Sequence, residues 1–177
     1  MRKLITLISL LYVTSAVYAQ MSVDSGYIVH IGDTVPPGIV LHLISGETVL
    51  LDKLVKEKVV VLQFTASWCS ICRKEMPHLE NEVWLPNKNM DFLLIGVDFD
   101  EPLEKVIAFK EQMKVTYPMA LDPDASIFKQ FAHKKSGVTR NVVIDKEGRI
   151  VFLTRLYDRN EFEAMKEKIA ELLTNEN

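Results

Sequence analysis

The chain contains two cysteines, Cys69 and Cys72, and only two residues separate them. An apolar run precedes the pair and a helical pattern follows it, so Cys69 is predicted to lie in the first turn of a helix. Unpaired N–H groups and the positive end of the helix dipole stabilise a thiolate there. Cys72 follows one turn later on the same face, close enough to form a disulfide with Cys69. The spacing therefore predicts a dithiol switch with Cys69 as the nucleophile and Cys72 as the resolving thiol.

Two other uses of the pair fit the spacing less well. A structural disulfide that closes so short a loop would stabilise the fold by only about 2 kcal/mol, against about 3 kcal/mol for a fifteen-residue loop. A zinc site needs two further ligands. The histidines that would supply them are scattered along the chain, at His30, His42, His78 and His133. Redox chemistry is therefore the favoured interpretation.

Residues 1–19 are typical of a secretory signal. Basic residues precede an apolar stretch from Leu4 to Val17, and a small-residue site at which cleavage is expected ends at Ala19. An uncleaved membrane anchor stays open as an alternative. Export predicts a periplasmic location, where disulfides persist. Residues 20–177 have the length of a single domain that needs no disulfide to fold.

The charge of the chain argues against nucleic acid as a partner. Loss of Arg2 and Lys3 with the signal reduces the Lys and Arg count from 21 to 19, against 24 Asp and Glu, a formal charge of −5. No run of basic residues is longer than two, as at Lys134 and Lys135. Nucleic-acid binding needs a larger basic surface. We expect a monomer that does not bind nucleic acid.

Hydrophobic patterning predicts strands that alternate with helices. The expected strands cover residues 39–44, 48–51, 58–65, 92–97, 141–145 and 149–153. The first two and the last two of these are separated by short turns and read as hairpins. This order predicts an α/β fold, with a mixed central β-sheet covered by helices on both faces.

Helix signals accompany these strands. Expected helices follow Cys69, begin at an Asp100 cap, cover Asp122 to Phe131, and begin again at an Asp158 cap. Pro77 should kink the first of them, because proline removes one helical hydrogen bond. Leu103 and Leu172 are expected to face the core, since both follow the helical spacing of apolar residues.

The sequence resembles a known family at several motifs. Trp68 and the cysteine pair follow a buried strand, Pro77 comes eight residues after Cys69, and the segment 142–148 reads VVIDKEG. These features are similar to the thioredoxin fold. The export signal and the segment CRKEMP at 72–77 more narrowly resemble the TlpA/ResA-like thiol–disulfide oxidoreductases of the bacterial envelope, within the AhpC/TSA-redoxin superfamily. The resemblance implies a three-layer sandwich with an N-terminal β-hairpin extension.

The resemblance also implies roles for individual residues. Glu75 matches a glutamate that assists proton movement at the dithiol, and an exposed helix carboxylate is the alternative. Val138 and Thr139 align with a substrate-facing segment in which the family usually has a cis-proline. A trans peptide is expected here, because a cis bond before a residue other than proline costs about 3–4 kcal/mol. Gln63 aligns with the buried aspartate of thioredoxins and cannot accept a proton. For Trp68 two interpretations stay open: an aromatic surface for a polypeptide substrate, or packing across the strand-to-helix junction.

The resemblance implies that the protein reduces disulfides in envelope proteins without a cofactor, takes electrons from a membrane thiol donor, and serves cytochrome c maturation or thiol repair. Disulfide donation, the reverse direction, uses the same atoms and stays open. One alternative is a copper-binding module that uses the two cysteines and His133. The other is a peroxiredoxin-like peroxidase with Arg140 near the thiol, although Ala66 replaces the hydroxyl residue of that family. For Arg140 a solvated charge at a strand end is the favoured interpretation.

Overall fold

A seven-stranded mixed sheet forms the centre of the protein. The structure is a computed structural model that describes residues 26–174, so the predicted signal at 1–19 lies outside the described residues. The strands are β1 (Val40–Leu43), β2 (Thr48–Leu50), β3 (Val59–Thr65), β4 (Phe92–Phe99), β5 (Met119–Asp122), β6 (Arg140–Ile144) and β7 (Ile150–Arg155). They lie in the order β2-β1-β5-β4-β3-β6-β7. The central strands β3, β4 and β5 are parallel, and the remaining pairs are antiparallel.

Helices cover both faces of this sheet. They are α1 (Leu51–Leu54), α2 (Ser70–His78), α3 (Leu85–Asn87), α4 (Leu103–Met113) and α5 (Arg159–Thr174). Apolar residues of α2, α4 and α5 pack together on one face. The other face is covered by α1, the lead-in to β1, and two 3₁₀ turns at Pro123–Ala125 and Phe128–Gln130. The predicted α/β three-layer fold, with its N-terminal hairpin of β1 and β2, is confirmed.

The central strand β3 is buried on both faces of the sheet. All seven of its residues are buried, and its register pairs Gln63 with Gly96 of β4 and with Asn141 of β6. A strand with helices on both faces needs such a continuous apolar run. The polar residues Gln63 and Thr65 are the exceptions, and Gln63 lies two residues from the end at which the cysteine loop begins.

Several predicted details of the helices are wrong. α4 begins at Leu103 after Pro102, and Asp100 is not its cap, because Asp100 has a positive φ and accepts a hydrogen bond from the backbone of Asp124. Leu103 is exposed, and the core position near the end of α5 is Leu173 instead of Leu172. The predicted helix at 122–131 is replaced by the two 3₁₀ turns.

The helix that follows the cysteines changes its hydrogen-bond pattern after Pro77. α2 continues to His78, and then becomes a π-helical turn over Leu79–Trp84 before α3. This widening accommodates a proline that cannot donate a backbone hydrogen bond. Within residues 26–174, no helix combines the length and apolar character needed to cross a bilayer.

Candidate active site

The cysteine pair lies where β3 turns into α2. Cys69 is the N-cap of α2, and its Sγ accepts a hydrogen bond of 3.1 Å from the backbone N–H of Cys72. The two residues form a disulfide with their Cα atoms 5.3 Å apart. Cys69 retains 8% exposure, whereas Cys72 is completely buried. A partner can therefore reach Cys69 more readily than Cys72, and the roles of nucleophile and resolving thiol stay a prediction.

The loop before Cys69 is held from two sides. The carboxylate of Glu101 accepts hydrogen bonds from the backbone N–H and the hydroxyl of Ser67. Arg73 of α2 donates from Nε to the carbonyl of Ser67 over 2.7 Å. Trp68 lies between these anchors and Cys69 in the chain, and it is 62% exposed with its ring edge against Phe99. The indole thus presents an exposed apolar surface next to Cys69 in the chain, and its contact with a polypeptide substrate stays a prediction.

Thr139 lies directly against the dithiol. Its Oγ1 is 3.1 Å from the Sγ of Cys69 and 3.2 Å from that of Cys72. Thr139 and the preceding Val138 are both buried. The predicted trans peptide between them is confirmed, since no cis bond occurs in residues 26–174. Sequence analysis identified the position, but it did not predict that the hydroxyl would contact both sulfurs.

Glu75 is buried one turn after Cys72 on α2, with 1% exposure. Its carboxylate accepts hydrogen bonds from Asn141 Nδ2 at 2.7 Å and from Gln63 Nε2 at 3.4 Å. Burial outweighs these two bonds and raises the pKa of Glu75 to about 7. The alternative of an exposed carboxylate is wrong. A buried acid with this pKa can gain or lose a proton near neutral pH.

Two further side chains fix the orientation of this network. The hydroxyl of Tyr117 donates to Gln63 Oε1 over 2.7 Å, which directs the Gln63 amide N–H₂ towards Glu75. Asn141 also donates to the hydroxyl oxygen of Thr154 over 2.9 Å. Sequence analysis missed these partners. The sequence feature that could have revealed them is a polar residue in each of two apolar strands, Gln63 and Asn141. The pairing of β3 with β6 places these two residues opposite each other.

A second buried acid lies behind the cysteine loop. Asp98, near the end of β4, is fully buried, and within the described residues neither carboxylate oxygen has a hydrogen-bond donor as partner. Burial, and next the charge of nearby Glu101, raise the pKa of Asp98 to about 8. Asp98 is therefore protonated at neutral pH, next to the carboxylate that anchors Ser67.

The structure also places the residues named for the alternative functions. No group of three or more His, Cys, Asp or Glu side chains in residues 26–174 could hold a metal ion, so His133 does not complete a copper site with the cysteines. Arg140 is fully buried, and the prediction of a solvated charge is wrong. Its guanidinium group binds Ser136 and Gly137 and stacks on the ring of Tyr27 at 4.4 Å. These contacts attach the N-terminal segment to the start of β6.

Comparison with known proteins places this site in a family. The Redoxin family model matches residues 30–173. The chain belongs to the redoxin family. This match and the similarity to ResA proteins together confirm the predicted resemblance to TlpA/ResA-like proteins of the thioredoxin fold.

Individual relatives carry names that agree with dithiol chemistry. A Bacillus cereus protein named thiol-disulfide oxidoreductase ResA is 31% identical over 115 residues, which are 65% of this chain and 64% of the relative. A Bacteroides thetaiotaomicron solution structure, described as a candidate protein disulfide isomerase, is 54% identical with a TM-score of 0.80, over 84% of this chain and 92% of that chain. The thioredoxin domain of a Bacteroides vulgatus thiol-disulfide oxidoreductase is 25% identical with a TM-score of 0.65, over 79% and 97%. The chain thus matches less than two thirds of the length of the ResA protein.

Proposed function

We propose that the protein is an exported thiol–disulfide oxidoreductase that reduces disulfides in envelope proteins. One observation carries this proposal. The sulfur of Cys69 lies at the N-terminus of α2 with the N–H of Cys72 directed at it, while its bonded partner is fully buried. This geometry stabilises a thiolate on the one sulfur that a protein substrate can reach.

The reaction follows from the two positions. In the reduced protein the Cys69 thiolate attacks a substrate disulfide, so that a Cys69–substrate bond forms and the electron pair leaves with the second substrate sulfur. The thiol of Cys72 then loses its proton and attacks Cys69. This step breaks the mixed disulfide, releases the reduced substrate and forms the disulfide of Cys69 and Cys72. The two electrons come from the dithiol, and a membrane thiol donor must restore them.

Glu75 is the group best suited to handle the proton of Cys72. It lies three residues later on the same helix and is buried, and its pKa near 7 suits both acceptance and donation. Trp68 would support the backbone of the incoming polypeptide. Val138 and Thr139 border the other side of the pair, because Thr139 contacts both sulfurs.

The test is capture of reaction partners in the native cell envelope. In the full chain with Cys72→Ala, Cys69 can form mixed disulfides that no internal thiol resolves. We expect envelope proteins to accumulate on Cys69 and to be released by dithiothreitol. The same chain with Cys69→Ala as well is the control and should capture nothing. Capture of cytosolic proteins alone would contradict export, and equal capture by the double variant would contradict the mechanism.

Identification of the captured proteins also tests the pathway. Apocytochromes with unattached haem sites would support cytochrome c maturation, whereas a broad set of envelope proteins would support general thiol repair. The predicted signal at 1–19 is tested by the N-terminal sequence of the purified protein, which should begin at Gln20.

A further inference from the structure

The hydroxyl of Thr139 lies almost equally far from the two reactive sulfurs. The distances from Oγ1 are 3.1 Å to Cys69 and 3.2 Å to Cys72. The position of Thr139 is fixed by its surroundings, because the residue is buried, its carbonyl accepts from the N–H of Leu156, and β6 begins at the next residue. The contact therefore belongs to the sheet and not to a loop that can move away.

A hydroxyl at this distance acts differently on a disulfide and on a thiolate. A disulfide sulfur is a weak hydrogen-bond acceptor, whereas an anion is a strong one. Reduction of the pair thus converts the contact of Thr139 into a charge-assisted hydrogen bond. Proline, the usual residue of the family at this position, has neither a hydroxyl nor a backbone N–H to offer.

One hydroxyl carries one proton, so it can donate to only one sulfur at a time. Before attack on a substrate the thiolate is on Cys69, and during release of the product it is on Cys72. Rotation of the O–H bond is sufficient to change from one acceptor to the other, since both sulfurs are already within reach.

We infer that Thr139 is a further catalytic residue, whose hydroxyl donates a hydrogen bond to the Cys69 thiolate before attack and to the Cys72 thiolate when the mixed disulfide is resolved. This inference rests on the proposed thiol exchange at the pair. The hydroxyl keeps its own proton in both steps, so the balance of atoms and electrons given above is unchanged. Thr139 stabilises the reduced form more than the disulfide, and it therefore makes the protein a weaker reductant.

The first measurement is the pKa of Cys69, from the rate of alkylation by iodoacetamide as a function of pH in a Cys72→Ala background. Thr139→Val keeps the shape of the side chain and removes the hydroxyl. We expect the pKa of Cys69 to rise by about one unit, the effect of one hydrogen bond to a charged group. At a pH below the pKa of Cys69 in both proteins, the protein with Thr139→Val should then be alkylated about tenfold more slowly than the protein that keeps Thr139.

The second measurement follows the resolving step in the chain with both cysteines. The reduced protein is mixed with 5,5′-dithiobis(2-nitrobenzoate), and release of the two thionitrobenzoate ions is recorded by stopped-flow absorbance. Thr139→Val should slow the second release as well as the first. A hydroxyl that serves Cys69 alone would slow the first release only, and that result would overturn the two-sulfur part of the inference.

Two comparisons separate the hydroxyl from simple packing. Thr139→Ser and Thr139→Ala both lack the methyl group and differ only in the hydroxyl. Thr139→Ser should therefore behave like the native protein, and Thr139→Ala should behave like Thr139→Val. This pair also preserves the test if the protein with Thr139→Val folds poorly. Thr65→Val is the matched control, because Thr65 is a buried threonine of β3 whose hydroxyl contacts the unreactive sulfur of Met76 at 3.6 Å.

The inference is overturned if Thr139→Val and Thr139→Ala leave the pKa of Cys69 unchanged, or if Thr139→Ser raises this pKa as far as Thr139→Ala does. An effect of Thr65→Val equal to that of Thr139→Val would also overturn it. Alkylation requires no protein partner, so these results are independent of the capture experiment. Failure to capture any envelope protein would contradict the proposed function and leave the measured role of the hydroxyl intact.

Discussion

Replacement of Glu75 by glutamine removes the one buried acid that lies on the cysteine helix within one turn of Cys72. Burial raises the pKa of Glu75 from 4.5 to about 7, and each pKa unit corresponds to 1.36 kcal/mol. The shift means that ionisation of this group destabilises the folded protein at neutral pH. The stability attributable to the neutral acid is complete below pH 4.5 and is lost as the pH rises towards 7. The loss at pH 7 amounts to about 3 kcal/mol.

Glu75→Gln should therefore change stability and rate in opposite directions. Glutamine can keep the hydrogen bond from Asn141 and never ionises. The free energy of unfolding of the variant, relative to that of the native protein, should therefore be about 3 kcal/mol higher at pH 7 than at pH 4. Its thiol exchange should be slower by about 10²-fold at pH 7, the lower end of the contribution of general acid–base catalysis. The pH–rate profile should lose its inflection near pH 7.

The assays are urea unfolding of the oxidised protein between pH 4 and 9, and the reaction of the reduced protein with glutathione disulfide over the range from pH 5 to 9. Glu80→Gln is the matched control, since Glu80 is a buried acid on the next turn whose carboxylate binds Thr116. It should leave the profile near pH 7 unchanged. The assignment of a proton-transfer role is refuted if Glu75→Gln retains the native pH–rate profile. Equal pH dependence of stability in both proteins would refute the raised pKa.

Three other outcomes follow from the site. In the reduced protein at pH 7, iodoacetamide should modify Cys69 before Cys72, and peptide mass spectrometry that finds equal labelling would contradict the assignment of the nucleophile. Trp68→Ala should slow reduction of insulin, a protein substrate, more than reduction of glutathione disulfide, because only the former contacts the exposed indole; equal slowing would contradict a role in substrate contact. Asp98→Asn should stabilise the protein increasingly as the pH rises from about 4 to 8, because the native acid has its pKa raised to about 8 and loses stability over that range; a pH-independent difference in urea unfolding would contradict this.

The sequence was most informative where chemistry depends on local spacing. The positions of Cys69 and Cys72 at the start of a helix follow from an apolar run and a two-residue gap, which need no knowledge of distant parts of the chain. The same holds for the buried strands, whose continuous apolar character marks them as central. Element boundaries were less predictable, because Asp100 has the side chain of a helix cap but a backbone with positive φ that no helix start adopts.

Burial of Glu75 could not be predicted from its own helix. Cys72 and Met76 identify the inner face of α2, and Glu75 lies at the margin of that face, where helical spacing does not distinguish a buried residue from an exposed one. The deciding information is on another strand, since Asn141 of β6 supplies the shortest hydrogen bond to the carboxylate. Its sequence separation of 66 residues from Glu75 places it beyond any local pattern.

Gln63 replaces the buried aspartate of thioredoxins, and Thr139 replaces the usual proline of the family. The hydrogen bonds of the site relate these two departures to each other. An aspartate in place of Gln63 would put a second carboxyl group in the buried network of Glu75, and each of two neighbouring buried acids disfavours the ionisation of the other. Gln63 instead donates to Glu75 and accepts from Tyr117, so the proposed proton transfer rests on Glu75 and not on residue 63. Thr139 likewise adds a donor where proline has none, and it does so at the sulfurs themselves. The two proposed roles, proton transfer by Glu75 and hydrogen-bond donation by Thr139, therefore belong to different side chains, and each can be removed separately by a single conservative substitution.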